Sequence, residues 1–173
     1  MIFNVLLLVL TLKFLFCGIS KVFWYKETIT FASNLEFFPN KVGRVLGSIL
    51  PMFEILIFFS LLFFNNLLIY IFISFYCLFF IALNLKAVAE KRNIPCFCYG
   101  KLLKSNLGWG GFFNFFSYLI ITIICLFIST ESMIVLIRNL SSYELLPIFL
   151  VTGIIFAGLI IGQSYGDKLS GRV

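Results

Sequence analysis

The chain has 173 residues, of which 62% are hydrophobic and 12% charged, whereas an ordinary soluble domain is roughly 45–50% apolar and about 25% charged. With 24 phenylalanines it can present apolar side chains all round a helix, which lipid permits and water does not, so a water-soluble fold is excluded. The formal charge is +6 and histidine is absent. The basic residues fall in short segments between apolar runs, which excludes a nucleic-acid stripe, and the missing imidazole excludes histidine-based catalysis and the commonest metal ligand.

A helix needs about 20 apolar residues to cross the hydrocarbon core of a bilayer. The first such span is predicted from about Ile2 to Phe23 and contains Lys13 and Cys17. It starts on an apolar run without a basic leader or an Ala-x-Ala cleavage site, and so reads as a retained span and not as a signal peptide. Trp24 to Arg44 mixes Glu27, Glu36, Phe37, Phe38 and Pro39, the blend of charge and aromatic groups expected of a segment lying along the membrane surface. The second span is predicted from about Val45 to Phe64, with Pro51 and Glu54 inside it, and Asn65–Asn66 is a polar hinge before the third, Leu67 to Val88. The fourth runs from about Gly110 to Ser129. The fifth, Leu145 to Gln163, carries Gly153, Gly158 and Gly162, small residues that suit helix contacts in lipid.

Short connections make neighbouring spans antiparallel. The expected fold class is therefore all-α, a polytopic membrane helix bundle with a four-helix core and a fifth C-terminal span. Residues 1–130 form the four-helix membrane domain, and 131–173 form a connecting segment, the fifth span and a short polar tail. Lys21, Lys26, Lys41 and Arg44 flank the first loop; Lys86, Lys91, Arg92, Lys101 and Lys104 flank the third; Lys168 and Arg172 lie in the tail. The second loop has no Lys or Arg and the fourth only Arg138. The positive-inside rule places the first loop, the third loop and the tail in the cytoplasm, with the N-terminus outside.

The strongest chemical signal is Asn93-Ile94-Pro95-Cys96-Phe97-Cys98-Tyr99-Gly100, a Cys-x-Cys bounded by proline and glycine just beyond the third span. Two thiols in a turn at a membrane surface are positioned for exchange, and Lys91, Arg92 and Lys101 favour the reactive thiolate. A disulfide closed over one residue is strained, and strained disulfides are labile and oxidising. Two other readings stand beside this one: a structural pair in a tight loop, or a soft-metal site completed by a partner, since two cysteines alone do not fill a zinc site. No metal ligand set is assigned. Cys17, Cys77 and Cys125, inside spans, read as small hydrophobes.

Glu54 and Lys13 lie about equally deep in the second and first spans, where a lone charge costs at least about 2.5–3.5 kcal/mol. A Lys13–Glu54 pair or a polar cavity is expected, with Lys21 as a competing partner for the carboxylate. Such a pair either sets helix register or handles protons or substrate. Asn84 and Asn114 bracket the cysteine loop and are expected to tie spans together, and Trp109 to anchor at the interface.

Taken in order, Phe14-x-x-x-Gly18-x-x-Lys21, Phe38-Pro39, Pro51-x-x-Glu54, Asn84, Cys96-Phe97-Cys98-Tyr99-Gly100, Trp109 and Asn114 resemble the methylamine utilisation protein MauE family, within a wider group of DoxX-like small membrane proteins, over roughly residues 1–130. The resemblance implies a multi-pass protein of a prokaryotic cell (inner) membrane that assists maturation or disulfide formation of a partner, of the methylamine dehydrogenase type. It implies a thioredoxin-like partner and a disulfide-containing client. It further implies Cys96 and Cys98 as the exchange thiols of a thiol–disulfide oxidoreductase or of an accessory factor to one, with Lys21, Glu54, Asn84 and Asn114 as polar framework, to which the span analysis adds Lys13. Two departures stand out: Phe113 where the family commonly has arginine, and the Lys101 to Lys104 stretch. No cofactor motif is present; a quinone is chemically reasonable as the electron acceptor, without a motif for it. Disulfide formation in an exported client needs an oxidising face, the opposite side from that given by the charge count. The alternatives from other classes are a small membrane carrier or channel lined by Glu54 and Lys13, and a noncatalytic scaffold subunit with structural cysteines. Neither an inverted repeat nor a broken helix pair of the transporter kind is visible.

Overall fold

A computed structural model of the chain describes residues 2–34, 39–64, 66–90, 95–96, 105–128, 134–135, 138 and 142–169. Its elements in order are α1 (Ile2–Phe23), α2 (Tyr25–Asn34), α3 (Asn40–Phe63), α4 (Leu67–Ala89), β1 (Pro95–Cys96), β2 (Ser105–Asn106), α5 (Trp109–Ile128) and α6 (Ser142–Leu169). The helices α1, α3, α4, α5 and α6 are long and apolar enough to cross a bilayer, as the span reading expects. Asn65, the stretch Glu36–Phe38, Cys98 and the basic residues Lys91, Arg92, Lys101, Lys104 and Arg172 lie outside the described residues.

The bundle is organised around α1, which packs against α3, α5 and α6. Buried residues make up 67% of its spanning window, against 22% for that of α6. Leu7, Val9, Leu10, Phe14 and Cys17 of α1 belong to the apolar core, together with Ile73 and Cys77 of α4 and Phe115, Tyr118 and Cys125 of α5. The outward faces carry exposed Phe, Leu, Ile and Met, such as Met52, Leu56, Phe59, Phe75 and Ile154. In lipid such a surface carries no hydrophobic penalty, so core and exterior differ in how closely side chains pack and not in polarity.

The segment after the first span is structured differently from the free surface stretch expected of its composition. Trp24 interrupts the helix, but its N–H bonds the Ser20 carbonyl at 3.1 Å and its own carbonyl accepts from Thr28 N–H at 2.9 Å, so α2 carries on from α1. The chain then returns as α3, antiparallel to both. Gly18 faces Ile55, the Tyr25 and Ser48 hydroxyls are 2.6 Å apart, and Gly47 faces Ala32 and Ile29. These contacts step in register along one long hairpin. The reason is the absence of side chains at Gly43 and Gly47, which lets the α3 backbone reach that of α2. Pro51 lies inside α3, where its ring nitrogen has no hydrogen to give the Gly47 carbonyl one turn earlier.

Asn66 caps α4, its side chain accepting from Leu68 N–H at 3.2 Å. At the opposite end, β1 and β2 pair antiparallel, Pro95 opposite Asn106 and Cys96 opposite Ser105. This ladder sits where α4 ends and α5 begins, and β2 also touches α6.

The glycine contacts give a contrast. A Cβ at Gly47 would fall 2.7 Å from the Ala32 Cβ and 2.9 Å from the Ile29 Cα, whereas one at Gly158 meets nothing within 4 Å. Gly47→Val is expected to destabilise the protein by about 1–3 kcal/mol, as overpacking does, and Gly158→Val to leave it within about 0.5 kcal/mol. Thermal unfolding of both variants in detergent, read against the parent chain, checks the pair.

Candidate functional site

The polar centre of the bundle is built on Glu54, a fully buried side chain of α3. Lys21 of α1 donates to its Oε1 and forms an ion pair with it, and the Tyr76 hydroxyl of α4 donates to the same oxygen. Lys21 is 3% exposed. Three helices thus meet at one carboxylate oxygen, while Oε2 has no hydrogen-bond partner among the described residues. A charged carboxylate in this environment is held by a cation and a hydrogen-bond donor together, which is what makes its burial tolerable. Gly18, one turn before Lys21, packs directly on Ile55 and Glu54 and lets α1 come close enough for the lysine to reach.

From Glu54 the side chains of α4 lead toward the paired strands. Tyr76, Phe80 and Asn84 recur every four residues along one stripe of the helix. The Tyr76 and Phe80 rings are 4.8 Å apart, and the Lys21 ammonium lies 5.7 Å from the centre of the Phe80 ring. Asn84 is fully buried; its amide donates to the Phe80 carbonyl at 2.8 Å and its Oδ1 accepts from Gly108 N–H at 3.0 Å. Gly108 follows β2 by two residues, so this bond fixes the exit of the ladder that carries Cys96. Gly111 is required beside it, because a Cβ there would collide with the Asn84 amide. On the far side of α5, Asn114 donates to Gln163 Oε1 of α6 at 2.6 Å, and Gly166 closes on Gly110.

The expected Lys13–Glu54 pair does not form. Lys13 is 1% exposed and faces α5, with its ammonium 3.7 Å from the centre of the Tyr118 ring and 4.0 Å from that of Phe115. It has no hydrogen-bond partner among the described residues, so the π faces supply its stabilisation, worth about 2 kcal/mol when desolvated. The competing partner, Lys21, holds the carboxylate because it falls opposite Glu54 in the register of the α1–α3 hairpin.

Of the residues singled out in the sequence, Lys21 and Glu54 come together, Asn84 joins them to the strand ladder, Asn114 ties α5 to α6, and Lys13 stands apart. Cys96 lies on β1 and Cys98 outside the described residues. Cys17, Cys77 and Cys125 are buried in α1, α4 and α5. Two functional side chains escaped the sequence reading, Tyr76 and Gln163. The signal for Tyr76 was its position two helical turns before Asn84 on the same face. Gln163 reads as the end of a span until Asn114 is seen against it.

The family model described as methylamine utilisation protein MauE matches residues 1–129, which reach from α1 through α5. No curated protein and no solved structure matches the chain.

The two lysines respond differently to replacement. Glu54→Gln strands the Lys21 ammonium and is expected to cost about 3–5 kcal/mol. Lys13→Met, which keeps the length and removes a charge that has no counter-ion among the described residues, is expected to be neutral or stabilising. Melting curves of the purified variants in one detergent decide this; equal losses for both would show that Lys13 is tied to Glu54 after all.

Proposed function

The chain belongs to the methylamine utilisation protein MauE family, and on that premise we propose that it is a multi-pass accessory protein of the cell membrane that exchanges disulfides during maturation of a client protein. In this reading the oxidised Cys96–Cys98 pair meets a thioredoxin-like partner. A partner thiolate attacks one sulfur of the pair, forming a mixed disulfide and releasing the other sulfur as thiolate; a second partner thiolate then attacks the mixed disulfide. The partner leaves oxidised and the pair is left as two thiols, having taken up two electrons. The partner in turn oxidises the client.

The observation that carries the reading is the anchoring of the strand that bears Cys96. Cys96 is on a strand paired with Ser105, and the return strand is tied through Gly108 to the buried Asn84. A thiol used in exchange needs its backbone held, and a short ladder fastened to the end of the bundle holds that of Cys96. The buried Lys21–Glu54–Tyr76 group makes the platform rigid by joining three helices within the same bundle. Family membership supports an accessory role in methylamine utilisation; the exchange chemistry rests on the two cysteines in the sequence and on the paired strand that carries Cys96.

The test is replacement of each thiol. Cys96→Ser and Cys98→Ser each remove the disulfide that oxidises the partner, and are expected to leave both the partner's thiols and the client's cysteines reduced. Alkylation with a mass-tagged maleimide, followed by electrophoresis of client and partner, reads both effects. Complete client disulfides in both variants would remove the exchange role. An impermeant maleimide applied to intact cells, with and without prior reduction, assigns the face: labelling only after reduction puts an oxidised pair outside, against the charge count.

A further inference from the structure

Between α3 and α4, which pack sparsely against each other, lies a cleft of 280 Å³. Its walls are apolar: Leu46 and Phe53 stand on α3, and Phe72, Phe75 and Phe79 form an exposed rim on α4 toward the surface that faces lipid. The Tyr76 ring also lines it, but the hydroxyl is turned inward onto Glu54. The cleft thus offers a ligand carbon surface and no hydrogen bond.

Its length follows from the register of the two antiparallel helices. With Glu54 against Tyr76, Leu46 comes level with Asn84, each lying eight residues further along its helix. From that level down to Phe72 the lining covers about 18 Å at 1.5 Å per residue. This is close to the depth of one leaflet, about 15 Å, half of a hydrocarbon core roughly 30 Å thick. A volume of 280 Å³ drawn out over that distance is a slot, the shape of one extended chain.

The rim residues Phe72, Phe75 and Phe79 lie on one stripe of α4, and the same helical spacing continues it to Lys86 and Glu90. Lys86 stands two residues beyond the level of Leu46, with 50% of its side chain exposed, and Glu90 is 35% exposed. Their charged groups are 4.0 Å apart, a loose surface pair of the kind that contributes little to stability. One cation and one anion therefore stand over the mouth of an apolar slot.

We propose that this cleft holds one acyl chain of a phospholipid whose headgroup carries both a phosphate and a primary ammonium, with the phosphate on Lys86 and the ammonium on Glu90. A headgroup with phosphate alone meets Glu90 as a like charge, and a quaternary ammonium has no hydrogen to give the carboxylate. The chain fills the seam that the Tyr76–Glu54 bond crosses, and adds apolar contact where α3 and α4 make little of their own. The site does not rest on the disulfide-exchange reading.

The experiment uses the full chain in phosphatidylcholine nanodiscs doped with a phosphatidylethanolamine whose acyl chain carries a diazirine, and maps the adducts by mass spectrometry after irradiation. Labelling is expected to concentrate on the cleft residues of α3 and α4. Unlabelled phosphatidylethanolamine is expected to displace it about three- to fivefold more effectively than phosphatidylglycerol, the size of one surface charge contact. Ile49→Trp, a change at a lipid-exposed position of the cleft, is expected to abolish the cleft adducts. Lys86→Gln is expected to weaken both lipids about three- to fivefold, and Glu90→Gln to remove the preference between them. These last two are exposed positions whose replacement leaves the fold intact, so they test the site even where the tryptophan is not accommodated. Labelling spread as heavily over the exposed face of α6, which is ordinary lipid contact only, would overturn the site. So would equal displacement by the two lipids, or cleft labelling unchanged in the Lys86 and Glu90 variants.

Discussion

A carboxylate buried among membrane-spanning helices has few arrangements open to it, and the one adopted by Glu54 organises this protein. It takes an ammonium from α1 and a phenol from α4 on a single oxygen. Each donor restricts a helix: Lys21 sets the height of α1 against α3, and Tyr76 holds α4 to α3 across a seam that is otherwise open enough to contain a cleft. Apolar packing alone specifies such positions weakly in lipid, because the tails are as apolar as the side chains. A charge that has to be met supplies the missing specificity, at the expense of stability that a wholly apolar core would retain.

The other buried polar groups continue the same logic from one helix to the next. Asn84 connects α4 to the backbone at the start of α5, and Asn114 connects α5 to Gln163 of α6. Glycines stand wherever these contacts need close approach, at Gly18 beside Glu54, at Gly111 beside Asn84 and at Gly166 on Gly110. The end of the bundle that bears the Cys96 strand is thus tied by hydrogen bonds, and the outer faces are left to lipid. Lys13 departs from the scheme, since aromatic faces surround it and, among the described residues, no carboxylate pairs with it. Its neighbours Phe115 and Tyr118 lie on α5, so it binds α1 to that helix as Lys21 binds α1 to α3.

The ladder that bears Cys96 sits at the end of the bundle, and the Glu54 centre joins three of its helices. Tyr76 stands at the α3–α4 seam, its hydroxyl on Glu54 and its ring on the cleft wall.

The sequence by itself determined the spans, because the length and hydropathy of a membrane helix are local properties and each span stands out from its flanks. It also marked Glu54 and Lys13 as charges deep in their spans, Lys21 as a competing partner for the carboxylate, and Asn84 and Asn114 as helix ties, since polar groups inside apolar runs are visible wherever they occur. The assignment of partners was a different matter. Lys13 and Lys21 are eight residues apart, which turns them about 80° from each other round the helix at 3.6 residues per turn. Depth along the span therefore could not say which lysine faces α3. Nor could composition show that Trp24 leaves the helix direction intact, so that α2 joins the hairpin, because that depended on glycines in α3 meeting it from the other strand of the turn. Tyr76 looked like one aromatic among many until α3 placed a carboxylate against it. Only the tertiary structure decided these points, because each depends on the rotation and height of one helix relative to another, and those are set jointly by side chains far apart in the chain.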